Sequence, residues 1–194
     1  MAIACAFARY FIFQKKINMK TILNLILFVL LCGTASAQQI TSADLQVTGL
    51  TCSMCSKATE TSLRSLDFIS DIKPDLNKNL FVLTFKKDKA VNLDLLKKKV
   101  QDAGFSVGNL QATFAFSKLK VDENGLASSG GNAYRFLNAK NQVLDGKVKV
   151  NILDKDFISS SAFKKNVAKF NVPSYASGKG TINGKNARIY HLSI

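Results

Sequence analysis

Two cysteines three positions apart, Cys52 and Cys55, stand in the segment Gly49-Leu50-Thr51-Cys52-Ser53-Met54-Cys55-Ser56-Lys57. A disulfide closing so short a loop would constrain the unfolded chain by about 2 kcal/mol at most, so the pair is read as chemistry and not as a staple. Thiolates are soft donors that favour Cu(I) and similar ions over hard cations. Two sulfurs on a loop that enters a helix can bracket one two-coordinate ion. Cys55, in the first helical turn, feels the positive end of the helix dipole, which favours its thiolate. Lys57 adds a positive charge nearby. A closed structural zinc site needs four ligands, and here the other candidate donor, His191, lies far along the chain. The rival chemistry is thiol–disulfide exchange, since Cys-x-x-Cys at a helix N-terminus is also a redox arrangement. Such motifs carry an aromatic before the first cysteine and a facing cis-proline. This chain has Thr51 there and only Pro74 and Pro173 anywhere, so metal binding is the preferred reading.

The elements around the pair follow from periodicity. Leu45 and Val47 alternate with Asp44, Gln46 and Thr48 as in a strand. Ala58, Ser62, Leu63 and Leu66 recur at helical spacing, with Ser53 or Ser56 available as N-cap. Ile69 to Asp75 is a second strand, and Pro74 marks it as an edge or a bulge. Asn77-Lys78-Asn79 is a turn, and Leu80 to Lys86 a third strand. A second helix spans about Asn92 to Ala103, with Leu93, Leu96 and Val100 as its stripe and Gly104 as its C′ residue. Phe105 and Val107 open a fourth strand. The order βαββαβ is that of a ferredoxin-like sandwich.

With this order in place, residues 44–113 resemble the heavy-metal-associated domain family, which includes copper chaperones, metal-binding domains of copper-pumping ATPases and a periplasmic mercury-binding protein. The segment Gly49 to Cys55 and the Ala103-Gly104-Phe105 run carry the likeness. The resemblance implies that Cys52 and Cys55 hold one soft ion, Cu(I) or alternatively Hg(II). It also implies that Phe105 shields the site and that a donor or acceptor protein exchanges the ion. Leu50 stands where the family often has Met, and should keep the packing beneath the loop. Met54 is expected to face solvent.

Residues 114–194 hold no cysteine and no convincing catalytic set. Strands are expected at Phe114 to Val121 and Tyr134 to Asn138, with a loop through Ser128-Ser129-Gly130-Gly131. A hairpin is expected to turn at Asp145-Gly146. A helix from Asp156 to Phe170, a loop over residues 171–180 and a closing hairpin ending at Ile194 complete a β-rich, OB-like module. His191 is expected on the surface of the last strand. The fold class is α+β, with a heavy-metal-associated domain at 40–113 and the C-terminal module at 114–194.

The N-terminus reads as a leader. Lys20, the apolar run Ile22 to Leu31 and Ala35-Ser36-Ala37 form a signal peptide cleaved near Ala37, with Met19 as its natural start and residues 1–18 as an upstream extension. Cys5 and Cys32 would leave with it. The leader holds Arg9, Lys15, Lys16 and Lys20 and no acid, which takes the formal charge from +14 to +10. Export to a bacterial periplasm argues against nucleic acid as the partner of this basic chain, and its Lys runs are expected to be solvated surface. The sequence thus describes an exported metal-binding protein without enzymatic activity.

Overall fold

A computed structural model describes residues 40–182 and 184–194. The leader, its cleavage site, Cys5 and Cys32 lie outside the described residues. Strand β1 (Ile40–Thr48) buries Ala43, Leu45 and Val47, and leaves Gln46 and Thr48 exposed, the alternation that its sequence dictates. Helix α1 (Ser53–Arg64) buries Thr59 and Leu63, and helix α2 (Leu93–Asp102) buries Leu93, Leu96 and Val100. Asn92 caps α2, its side-chain oxygen accepting from the Leu95 amide at 3.0 Å. The two helices lie together, with the Ser62 hydroxyl donating to the Lys99 carbonyl at 2.8 Å.

Strands β2 (Ile69–Asp75), β3 (Leu80–Phe85) and β4 (Ser106–Val121) complete the βαββαβ unit. The sheet order β2-β3-β1-β4, antiparallel throughout, is ferredoxin-like. Pro74 lies on β2, the outermost strand, the place in a sheet where a residue without an N–H is best tolerated.

β4 does not stop where the first unit ends. It runs 16 residues, and the boundary expected between residues 113 and 114 falls inside it. β7 (Gln142–Ile152) pairs with β4 from Gln111 to Val121, and one continuous core cluster extends from Ile40 to Leu192. The second half of β4 then joins β5 (Leu126–Ser129), β6 (Asn132–Phe136), β7 and β9 (Lys185–Ser193) in the order β4-β7-β9-β6-β5. β6 and β9 are parallel and the other ladders antiparallel. The strands curl around an aromatic interior, with Phe114 5.5 Å from Tyr134 and Phe116 6.2 Å from Phe136, ring centre to ring centre. This is a small OB-like arrangement with its helices between the fourth and fifth strands.

Four local expectations change. Asp145-Gly146 makes no hairpin turn, and β7 passes straight through it. The reason is a bulge in β4 at residues 117–118, where Lys118 takes φ +47° and the Asp145 carboxylate accepts its amide at 3.1 Å. Ser128 and Ser129 belong to β5 and not to a loop, because β5 pairs with β6 across the Gly130-Gly131 turn. Helix α3 (Ser160–Phe170) begins four residues later than expected, since Ser159 is its cap and Asp156 is held at φ +67°. Within 171–180, Pro173 starts a short helix α4 (Pro173–Ser177) and Gly178 at φ +67° ends it before β8 (Lys179–Ile182). No helix among the described residues is long and apolar enough to cross a membrane.

Candidate metal site

The metal loop begins at Gly49, whose φ of +92° is a conformation that side-chain-bearing residues rarely adopt. This turn takes the chain from the end of β1 over the core, and Leu50 packs into that core where the expected Met would lie. Phe105, half-buried, brings its ring close to Gly49: a Cβ there would lie 3.5 Å from it.

Cys52 then caps α1, in place of the expected Ser53 or Ser56. Its backbone is extended, its sulfur accepts from the Cys55 amide at 3.4 Å, and its carbonyl accepts from Ser56 at 3.2 Å. Cap and third helical residue lie on one face of the turn, so the spacing brings the two sulfurs together. They are 2.8 Å apart, and both cysteines are free. Cys52 is exposed, whereas Cys55 is half-buried against the core. The Cys55 thiol is held below its ordinary pKa, first by a hydrogen bond from Cys52. Burial opposes this, and the Thr51 amide and hydroxyl reinforce it.

Met54 is 75% exposed, as expected for a solvent-facing position. Lys57 turns to Glu60, its ammonium 3.3 Å from that carboxylate, and Glu60 also binds Arg64 at 2.7 Å. Among the described residues no group of three or more His, Cys, Asp or Glu is placed to hold a metal. The candidate donors are the two sulfurs, a pair that would suit a soft ion of low coordination number.

His191 is the clearest departure from expectation. It is fully buried, not on the strand surface. Its Nδ1 lies 2.8 Å from Asp154 Oδ1 and its Nε2 3.0 Å from the Ser174 hydroxyl, while the other Asp154 oxygen accepts the His191 amide at 2.9 Å. The order Asp–His–Ser is that of a nucleophilic triad, which the sequence did not disclose because the partners stand 37 and 17 positions from His191. Ser174 is nearly as buried as the histidine, and neither lines the neighbouring cavity of about 220 Å³. In this conformation the three work as a satisfied polar core tying α4 and β9 to the end of β7. Arg188 extends it, binding Asp154 at 3.3 Å and Asp94 of α2 at 3.1 Å, with the Tyr190 hydroxyl also donating to Asp94 at 3.0 Å.

The family model for the heavy-metal-associated domain matches residues 44–106. Residues 44–106 are a heavy-metal-associated domain. The match ends at the start of β4, so the C-terminal module lies outside it. A probable copper-exporting P-type ATPase of Archaeoglobus fulgidus is 31% identical over 67 residues, which are 34% of this chain and 8% of that protein. The chain thus matches only a small part of that relative. Among solved structures, the yeast copper transporter domain Ccc2a, determined in apo and Cu(I)-loaded states, is 31% identical. That match covers 34% of this chain and 88% of the yeast domain, with a TM-score of 0.31. Oxidized MerP from Ralstonia metallidurans CH34 is 27% identical over 35% of this chain and 96% of MerP, with a TM-score of 0.32.

Proposed function

We propose that this protein is an exported carrier of one soft metal ion, Cu(I) before Hg(II), held between Cys52 and Cys55 and passed to or from a partner protein. The observation that carries the reading is the pair of free sulfurs, 2.8 Å apart, at the exposed end of α1 in a heavy-metal-associated domain. Export rests on the leader before Gln38, and copper on thiolate chemistry and on the copper-exporting relative. The site suits hand-over: with Cys52 exposed at the start of α1, a partner's thiol reaches the ion without either protein unfolding. The protein's own work is binding and release, with no bond of a substrate made or broken.

The same sulfur proximity also favours a second reading, a thiol–disulfide oxidoreductase. Anaerobic titration of the reduced chain from Gln38 onward with Cu(I), against a chromogenic chelator, separates the two. One Cu(I) held per chain, and lost in Cys52→Ser/Cys55→Ser, is the expected outcome. Failure of fully reduced protein to compete with the chelator would overturn the carrier reading and leave the reduction potential as the quantity to measure.

A further inference from the structure

The basic charge of the chain is not shared evenly between its two parts. Over residues 38–113, ten Lys and Arg stand against eight Asp and Glu, whereas over residues 114–194 thirteen stand against five. Past Asp156 the sequence has six basic residues and no acidic one. The lysine runs of the metal-binding unit are met by carboxylates: Lys89 lies 3.1 Å from Asp67, Lys97 3.3 Å from Asp94 and Lys98 2.7 Å from Asp102. Lys164, Lys165 and Lys169 are not. None of the three pairs with a carboxylate among the described residues.

These three lysines lie on one side of α3. Ala162, Phe163, Asn166, Val167 and Phe170 are half-buried and form the inner side. There the rings of Phe163 and Phe170 rest 5.1 and 6.2 Å from that of Tyr175, and Asn166 donates to the Tyr175 hydroxyl at 3.3 Å. Ser160, Ser161, Lys164, Lys165, Ala168 and Lys169 fill the opposite arc and are exposed, the division that a 3.6-residue period imposes. Between the lysines this arc carries only small side chains, so the ammonium groups project furthest from the helix. Long cations over a low floor fit a flat anionic surface. The arc has no aromatic or arginine anchor to fill a pocket on a protein partner, and no ring on which nucleic-acid bases could stack.

We infer that the C-terminal module docks on an anionic lipid surface through the exposed arc of α3. Lys164, Lys165 and Lys169 face the lipid phosphates, within the roughly 10 Å over which such attraction acts at ordinary salt. The helix stays seated on Tyr175 and its phenylalanines stay in the protein, so the contact is electrostatic and reversible. Docking calls on neither Cys52 nor Cys55, and it stands or falls apart from the carrier reading.

The test uses the chain from Gln38 onward and vesicles of phosphatidylcholine and phosphatidylglycerol, roughly two to one, with co-sedimentation at about 0.1 M salt. Two variants remove equal charge from different places. Lys164→Gln/Lys165→Gln/Lys169→Gln strips α3, and Lys73→Gln/Lys86→Gln/Lys87→Gln strips exposed lysines of the metal-binding unit. The parent should bind these vesicles but not phosphatidylcholine alone, and about 0.5 M salt should release it. The α3 variant should bind roughly a hundredfold more weakly, about fivefold for each charge. The other variant should stay within about threefold of the parent. Lys164→Arg/Lys165→Arg/Lys169→Arg keeps the charge and should bind like the parent, which separates loss of charge from damage to the helix. Equal weakening by both glutamine variants would reduce the effect to net charge and overturn the inference. So would a parent indifferent to phosphatidylglycerol, or one that binds poly-L-glutamate and not the vesicles, which would make an acidic protein the occupant.

Discussion

At the scale of single residues, Cys52 has three tasks: it caps α1 with its sulfur, offers that sulfur to solvent, and holds Cys55 in a thiolate-favouring environment. A thiol whose pKa is lowered carries its negative charge at a lower pH than an ordinary cysteine, near 8.5. Alkylation of Cys55 by iodoacetamide in the reduced, metal-free protein should therefore rise with pH around a midpoint below that of the same cysteine in the unfolded chain. The hydrogen bond from Cys52 is the largest cause, so Cys52→Ala should shift the midpoint upward. A midpoint indifferent to Cys52→Ala would assign the lowering to Thr51 and the helix terminus instead. The pair itself was plain in the sequence because ligand spacing in a helical turn is local. Which residue capped the helix was not: Ser53 and Ser56 are the commoner chemistry for a cap, and only the backbone shows that the turn begins one residue before Ser53.

Among elements, α2 connects the metal-binding unit to the rest of the chain. Its first turn presents Asp94 to Arg188 and Tyr190 of β9, and Lys97 lies over the Phe157 ring, 4.9 Å from its centre. Burial pushes the Asp94 carboxyl up, but the Arg188 hydrogen bond and charge, the Tyr190 hydroxyl and Lys97 together bring it below the usual aspartate range. A carboxylate lowered on folding stabilises the protein above its unfolded pKa, near 4, and loses that contribution as the pH falls through the folded value. Asp94→Asn should therefore cost about 1 kcal/mol at neutral pH, a modest figure because the Asp94 side chain is more than a third exposed. The difference from the parent should shrink in urea melts near pH ~3. Equal stability at neutral pH would show that the contact adds nothing. None of this could be read along the chain, since Asp94 and Arg188 are 94 positions apart. Elements defined by local period, such as α1, α2 and β1 to β3, were legible. Those defined by distant partners were not: β5 needs β6 to be a strand, Asp145 serves a bulge in β4, and His191 is buried only because Asp154 and Ser174 come to it.

For the molecule as a whole, the question is whether the metal-binding unit and the C-terminal module fold as two bodies or one. β4 runs through both, β7 pairs along it, and the buried residues form one cluster. A strand shared by two cores cannot lose its order in one without exposing apolar residues of the other, so the two should unfold together. The chain supplies its own reporter. Of its four tyrosines only Tyr10 precedes residue 114, and the protein has no tryptophan, so tyrosine emission from the chain after Gln38 reports the C-terminal module alone. If Cu(I) is held at Cys52 and Cys55 as proposed, it should raise the midpoint detected by Tyr134, Tyr175 and Tyr190 as much as the one from far-ultraviolet dichroism. At a free Cu(I) concentration a hundred times the dissociation constant the gain should be about 2.7 kcal/mol in both signals. The Cys52→Ser/Cys55→Ser variant should show no shift in either. If the metal moved the dichroism signal and left tyrosine emission where it was, the C-terminal module would be an independent body. Coincident shifts instead mean that the shared strand β4 and the common core make the two one cooperative unit.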